Sequence, residues 1–229
     1  MCFVKSIIFI IMWFSWTLVF GLITLPAFLF PKNNIIYSKC CKIWAEVTLF
    51  FLRIICQIKV KVIGDIPKYP CIVASKHQSA WETIFFLTFF NNPVFVIKKE
   101  LTKIPIYGWY LAAAGMIIID RKSGSNALKQ IKHGAEEAIN SGRTFIIFPE
   151  GTRTKPGSSV KYKSGISFLR DNFTVPIIPV ALNSGSYWLN KSIIRKPGSI
   201  TVKILPQFKE KEYFLKELQE LIDSESENL

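Results

Sequence analysis

From Ser6 to Phe30 the chain carries no charged residue and consists mainly of Ile, Phe, Leu, Val and Trp. As a helix, such a run is long enough to cross the ~30 Å hydrocarbon core of a bilayer. Gly21 and Pro26 interrupt it, so a straight span, a kinked span and one arm of a shallow hairpin all fit. Ile43 to Ile58 offers a second apolar arm, broken only by Glu46, Arg53 and Gln57. The first run exceeds the ~7–15-residue core of a secretory signal, and no small-x-small cleavage site follows it. Lys32, Lys39 and Lys42 follow it while only Lys5 precedes it, which by the positive-inside rule places the remainder in the cytoplasm. Trp13, Trp16 and Trp44 are amphipathic rings suited to the headgroup layer. Residues 1–58 thus read as an N-terminal membrane-anchoring helical segment. Residues 59–229 are of a length to bury one substantial core.

Past Pro70 the texture changes to short apolar runs alternating with helical patterns, which predicts an α/β domain. Strands are expected at Cys71–Ser75, Val94–Ile97, Met116–Ile119, Thr144–Phe148, Ile177–Leu182 and Ile200–Leu205, and helices at Ser79–Phe90, Ser125–Asn140 and Glu210–Ile222. In the second helix Leu128, Ile131, Ala135 and Ile139 repeat at helical spacing, leaving His133 on the polar, solvated face. Pro176 and Pro179 mark their strand as an edge or bulge. The tail from Ser224 to Leu229 reads as frayed.

Lys and Arg number 29 against 16 Asp and Glu, a formal charge of +13 that calls for an anionic partner: nucleic acid, anionic lipid or a phosphate-bearing small molecule. The five cysteines, Cys2, Cys40, Cys41, Cys56 and Cys71, form no paired framework and suit a reducing compartment. His77 and His133 lie far apart and no CxxC or HxxxH pattern exists, so no metal site is expected.

Two clusters carry chemistry. Lys76-His77-Gln78-Ser79-Ala80-Trp81-Glu82 falls where a buried strand gives way to a helix. A histidine there can take a proton from a hydroxyl nucleophile, and a carboxylate one turn into the helix can orient it. Ser79-x-x-Glu82 is equally a capping box, with Glu82 bonding the Ser79 N–H. The second cluster, Phe148-Pro149-Glu150-Gly151-Thr152-Arg153, follows the most apolar strand. Gly151 permits a tight turn and Arg153 presents a planar fork suited to phosphate; an ordinary surface turn fits the same residues. Cys71 and Ser79 are the candidate covalent nucleophiles, but Cys71 opens an apolar strand and Ser79 serves as a helix cap.

With Lys98-Lys99-Glu100-Leu101, Ile104-Pro105, Gly108 and Gly115 to Arg121 between them, and Val175 to Leu182 after them, these blocks in this order resemble the lysophospholipid acyltransferase family, specifically 1-acylglycerol-3-phosphate acyltransferases of the bacterial type. The resemblance covers residues 70 to 185. It implies a single αβ acyltransferase domain behind the N-terminal anchor, with His77 as general base and Glu82 as its orienting acid. Glu82 departs from the family's usual His-x4-Asp by one methylene. It further implies that Lys98 and Arg121 lie near the substrate, and that the block Glu150, Gly151, Thr152 and Arg153 binds substrate, the phosphate through Arg153 with Glu150 and Gly151 shaping the pocket; a solvated strand-end lysine and a surface Asp120-Arg121 pair are the plainer alternatives.

The reaction implied is transfer of a fatty acyl group to the sn-2 hydroxyl of lysophosphatidic acid, giving phosphatidic acid. The donor would be acyl-CoA or acyl carrier protein, as a substrate and not a bound cofactor. The positive charge then suits the acceptor phosphate, the carrier and an anionic bilayer, and nucleic acid is not needed as a partner. The expected location is the inner or cytoplasmic membrane, with the catalytic domain facing the cytoplasm. Two alternatives share the motifs: a sister acyltransferase acting on glycerol 3-phosphate or another lysolipid, and a catalytically silent lipid-binding membrane protein. The donor of the oxyanion hole is not assigned, Lys98 and a backbone N–H being the candidates.

Overall fold

The computed structural model describes residues 1–29, 34–67, 69–120, 125–209 and 212–229. The apolar runs past Pro70 form five contiguous strands of one seven-stranded sheet, with β4 at its edge: β2 (Ile72–Ser75), β3 (Val94–Lys98), β4 (Ile117–Ile119), β5 (Phe145–Ile147) and β6 (Ile177–Leu182). With β1 (Ile58–Ile63) and β7 (Gly198–Ile204) the order is β1-β7-β6-β2-β5-β3-β4, and all neighbours are parallel except β6 and β7. β2, β5 and β6 are buried along their whole length, as expected of parallel strands covered on both faces. The pleat sorts their side chains into two cores: Val73, Ile146, Ile178 and Val180 face one way, Ile72, Ala74, Phe145, Ile147 and Ile177 the other.

The second core is closed by α5 (Ser125–Asn140), α6 (Gly165–Asn172) and α8 (Phe214–Glu227). The helical spacing read in α5 is the spacing that buries Ile131, Ala135 and Ala138, while His133 is exposed. The first core is closed by α3 (Trp81–Phe89), α4 (Tyr107–Ala113) and the N-terminal pair α1 (Cys2–Thr24) and α2 (Asn34–Ile55). α1, with the 3₁₀ turn Leu25–Leu29 after it, is long and apolar enough to cross a membrane by length and composition. Most of it is exposed, Phe3, Ile11, Phe14, Leu18 and Ile23 among its outward residues.

Of the geometries open to the N-terminal run, the helical hairpin is the one formed. Cys56 Sγ lies 3.9 Å from the Lys5 carbonyl, Trp44 Nε1 donates to Thr17 Oγ1 at 3.0 Å, and Tyr37 Oη donates to the Ala27 carbonyl at 3.0 Å, so α1 and α2 run antiparallel. Gly21 is not a break: α1 passes through it, and a Cβ there would stand 2.3 Å from Ile106. The tryptophan expectation changes. Trp44 is buried and Trp13 and Trp16 pack against the first core, since the rings fill the space between α1, α2 and the domain. Phe9, Tyr37, Ala45 and Leu52 belong to the same core as Val73 and Trp81, so the hairpin packs as part of the globule.

Three further expectations are revised. β6 is an interior strand despite Pro176 and Pro179. Pro179 turns its missing N–H toward β7, which pairs only from Val180 onward, and its carbonyl still accepts from Leu205 at 3.0 Å. The tail is helical through Glu227, because Ser226 Oγ accepts the Leu182 N–H at 3.3 Å and Asp223 is ion-paired to Lys76. The predicted start of that helix, Glu210 with Lys211, lies outside the described residues. β1 is a strand where none is expected before Cys71, and it takes in Ile58, the expected end of the second apolar arm; it is a sheet edge whose Lys59 and Lys61 are exposed, a pattern that protects an edge strand from pairing with other chains.

Candidate active site

β6, β2 and β5 are neighbours and parallel, so the segments that leave their C-terminal ends meet along one edge of the sheet, where α/β folds gather function. Those segments are Lys76–Ala80, Phe148–Thr154 and Asn183–Gly185. Across this edge the chain alternates faces: the His77 ring stacks on Phe148, with centroids 4.0 Å apart and 19° between planes, on the side of α1 to α4.

Glu82 has no solvent exposure, and donors converge on it. Oε1 lies 2.8 Å from His77 Nδ1 and accepts the Gln78 and Ser79 N–H groups at 2.7 Å each; Oε2 accepts the Ser184 hydroxyl at 2.7 Å. A carboxylate only accepts, so the proton between the two side chains sits on Nδ1 and leaves Nε2 as the basic nitrogen. The capping box and the His–Glu pair are therefore one arrangement: the oxygen that caps α3 through Ser79 also holds His77. The extra methylene of Glu82 is absorbed without loss of the contact.

The second block is tied to the first from below. Glu150, fully buried, accepts the His77 backbone N–H at Oε2 (2.8 Å), and its Oε1 meets Lys76 Nζ at 2.8 Å and the Thr154 hydroxyl at 3.2 Å. The Thr154 N–H returns to the His77 carbonyl at 2.8 Å. Lys76 Nζ also pairs with Asp223 Oδ1 of α8 at 2.6 Å. Burial pushes the Glu150 carboxyl up to about 7, against the pull of the Lys76 ammonium and of the His77 and Thr154 donors. Burial pulls Lys76 down, but the Glu150 and Asp223 carboxylates outweigh it and hold it above its ordinary value.

Gly151 sits at φ +68°, the left-handed conformation that lets the chain turn straight after β5, with its N–H on the Phe148 carbonyl at 2.9 Å. The turn leaves Thr152 and Arg153 exposed beside the His77 loop. Lys98 is exposed at the C-terminal end of β3, two strands from β2 along the same edge. Arg121 lies outside the described residues. Cys71 is buried, and burial pushes its thiol up to about 12, so no thiolate nucleophile is available there. Ser79 Oγ accepts the Trp81 N–H at 3.0 Å, the part of a helix cap. An apolar cavity of about 30 Å³ lies between α1, α2 and α4 on the His77 side of the sheet, lined by Phe20, Gly21, Trp44, Tyr107 and Tyr110.

Sequence reasoning missed Lys76, Thr154, Ser184 and Asp223. Lys76 stood inside the quoted cluster and Ser184 two residues past an all-apolar strand; being next to His77 was the only available signal for the first, and nothing marked the partners of the others.

A family model described as Acyltransferase matches residues 57–183, more than half the chain, and the chain belongs to that family. It is similar to the 1-acyl-sn-glycerol-3-phosphate acyltransferase of Pseudomonas aeruginosa, 39% identical over 165 residues, covering 71% of this chain and 64% of that protein. The enzyme of the same name from Saccharomyces cerevisiae is 29% identical over 171 residues, covering 71% of this chain and 56% of that protein. In both alignments the chain spans less than two thirds of the relative's length. In fold it matches the crystal structure of the 1-acyl-sn-glycerophosphate (LPA) acyltransferase from Thermotoga maritima with a TM-score of 0.76 at 23% identity, over 99% of this chain and 95% of that one.

Proposed function

We propose that the protein transfers an acyl group from a thioester carrier, acyl-CoA or acyl carrier protein, to the sn-2 hydroxyl of 1-acylglycerol 3-phosphate, giving phosphatidic acid. The observation that carries this reading is the His77–Glu82 contact of 2.8 Å, with Nε2 left basic at the edge where the strand ends meet. His77 Nε2 takes the hydroxyl proton as the oxygen attacks the thioester carbonyl. The tetrahedral adduct collapses, the C–S bond breaks, and the imidazolium returns the proton to the departing thiolate. Glu82 stabilises the imidazolium without taking its proton. No acyl-enzyme is needed, in keeping with the buried Cys71 and the capping part of Ser79.

In this reading Arg153 binds the acceptor's phosphate, Gly151 and Thr152 shape the turn that presents it, Lys98 contributes positive charge along the rim, and Arg121 is a further basic residue for the substrate. Glu150 holds the His77 backbone. Residues 1–58 keep the site at the cytoplasmic face of the membrane and bring the acyl chains to it, which fits the outward apolar surface of α1. Carrying a two-tailed product through water would cost about 0.8 kcal/mol for each exposed CH₂, and a site at bilayer level avoids that.

Membranes containing the full chain, given labelled acyl thioester and lysophosphatidic acid, should form phosphatidic acid. His77→Ala should lower turnover by ~10²–10⁴ with the fold intact. Wild-type turnover in that variant would remove His77 as the base.

A further inference from the structure

Only one oxygen of the Glu82 carboxylate faces His77. The other, Oε2, accepts the hydroxyl of Ser184, which is fully buried and follows the C-terminal end of β6. The segment carrying it is fixed from two sides. Asn183 Oδ1 accepts the Thr201 N–H of β7 at 2.9 Å, and the Gly185 N–H donates to Gln78 Oε1 at 2.9 Å. A Cβ at Gly185 would stand 2.9 Å from Gln78 Cβ and 3.0 Å from Pro156, so the backbone lies flat against the His77 loop because residue 185 has no side chain. The Ser184 oxygen therefore sits on a rigid support.

We propose that Ser184 is a positioning residue for acyl transfer: it fixes the plane of the Glu82 carboxylate, and through it the direction of His77 Nε2. The inference rests on His77 being the base. Without the Ser184 hydroxyl the three donors on Oε1 remain, but the carboxylate plane can tilt about them, since glutamate's terminal torsion is broad. Held at both oxygens, it keeps Oε1 on Nδ1 and the imidazole in one orientation. Glutamate at position 82 and serine at position 184 form a matched pair. Shortening the side chain by one carbon retracts the carboxyl by roughly 1.5 Å, and a 2.7 Å bond stretched that far is no longer a hydrogen bond. Aspartate at position 82 can keep the His77 contact or the Ser184 contact, not both.

The test is a double-mutant cycle on the full chain in membranes or detergent, with Ser184→Ala, Glu82→Asp and the double variant, reading kcat and both KM values alongside the thermal midpoint. Ser184→Ala should lower kcat roughly tenfold, the low end of what one hydrogen bond to a charged group supplies, with both KM values within about twofold of wild type. Glu82→Asp should lower kcat without abolishing it, and adding Ser184→Ala to it should lower kcat no further. A serine that only supports the fold would lower the midpoint and leave the kcat of folded protein unchanged, and that result overturns the proposal. So do losses that multiply in the double variant. If Ser184→Ala does not fold, Ser184→Cys, close in size and a weak donor, takes its place, and wild-type kcat in that variant is equally fatal. His77→Ala run in parallel separates the two levels. An active His77→Ala removes the functional reading and this inference with it, whereas an inactive one beside a fully active Ser184→Ala removes only the role of Ser184.

Discussion

Lys76→Met tests whether the buried charges beneath His77 hold the fold together. The ammonium lies 2.8 Å from Glu150 Oε1 and 2.6 Å from Asp223 Oδ1, with its side chain 4% exposed and that of Glu150 at 0%. At an effective dielectric constant of ~20, the Glu150 contact alone is worth about 6 kcal/mol of Coulomb attraction, offset by the cost of burying both ions. Removing one member leaves the other uncompensated, which costs about 3–5 kcal/mol, or roughly 6–20 °C in the midpoint of a chain of this size. The deficit should depend on pH. The folded pKa of Glu150, about 7, already lies above its ordinary 4.5, and without the cation it rises further. The stability such a group contributes is present below its unfolded pKa and is lost as pH rises through the folded one. The variant should therefore melt far below wild type near pH 8 and much closer to it near pH 5, where Glu150 is protonated. Lys76→Met with Glu150→Gln should recover much of the loss. Melting in detergent followed by circular dichroism reads all three, and an unchanged midpoint at about pH 8, or a larger deficit at acid pH, would refute the argument.

Two further outcomes are expected. Arg153→Ala should raise the KM for lysophosphatidic acid more than that for the acyl donor, by the ~1.5–3 kcal/mol of a charge-assisted contact; initial rates with each substrate varied in turn check this, and a rise confined to the donor would assign Arg153 to the carrier. A chain starting at Lys59 should not fold, because Phe9, Tyr37, Ala45 and Leu52 are core residues shared with the sheet; circular dichroism and gel filtration of the truncated protein check it, and a folded, soluble product contradicts it.

Much of the sheet was legible because parallel strands buried on both faces must be apolar throughout, and that signature survives in single runs such as Ile177 to Leu182. α5 was legible to the residue because one face is buried and the other solvated. β1 was not: with four of its six residues exposed, it shows no run, and its assignment rests on pairing with β7 far along the chain. The same division runs through the site. His77 and Glu82 are five residues apart, so a turn of helix explains their meeting, and the capping pattern uses the same oxygen. Ser184 and Asp223 reach the site only through tertiary packing, 102 residues from Glu82 and 147 from Lys76. Glu150 was placed at the substrate by its motif, while its contacts run inward to the backbone of His77.

Ser6 Oγ accepts the backbone N–H of Arg195 at 2.8 Å across 189 residues, and β1 lies beside β7 with Ile58 opposite Gly198. The fold is thus buckled like a belt, its early segments fastened by its late ones. Chains grow from the N-terminus at about 5–20 residues per second, so α1 meets α2 early, while Ser6 waits through most of synthesis for Arg195 and β1 for β7. During that interval the Ser6 end of α1 and the edge of β1 lack their late partners, and pairing across so long a stretch of chain is slow. A chain cut short before Arg195 loses more than its last strand: Ser6 is left without its late partner and β1 without the strand it pairs with.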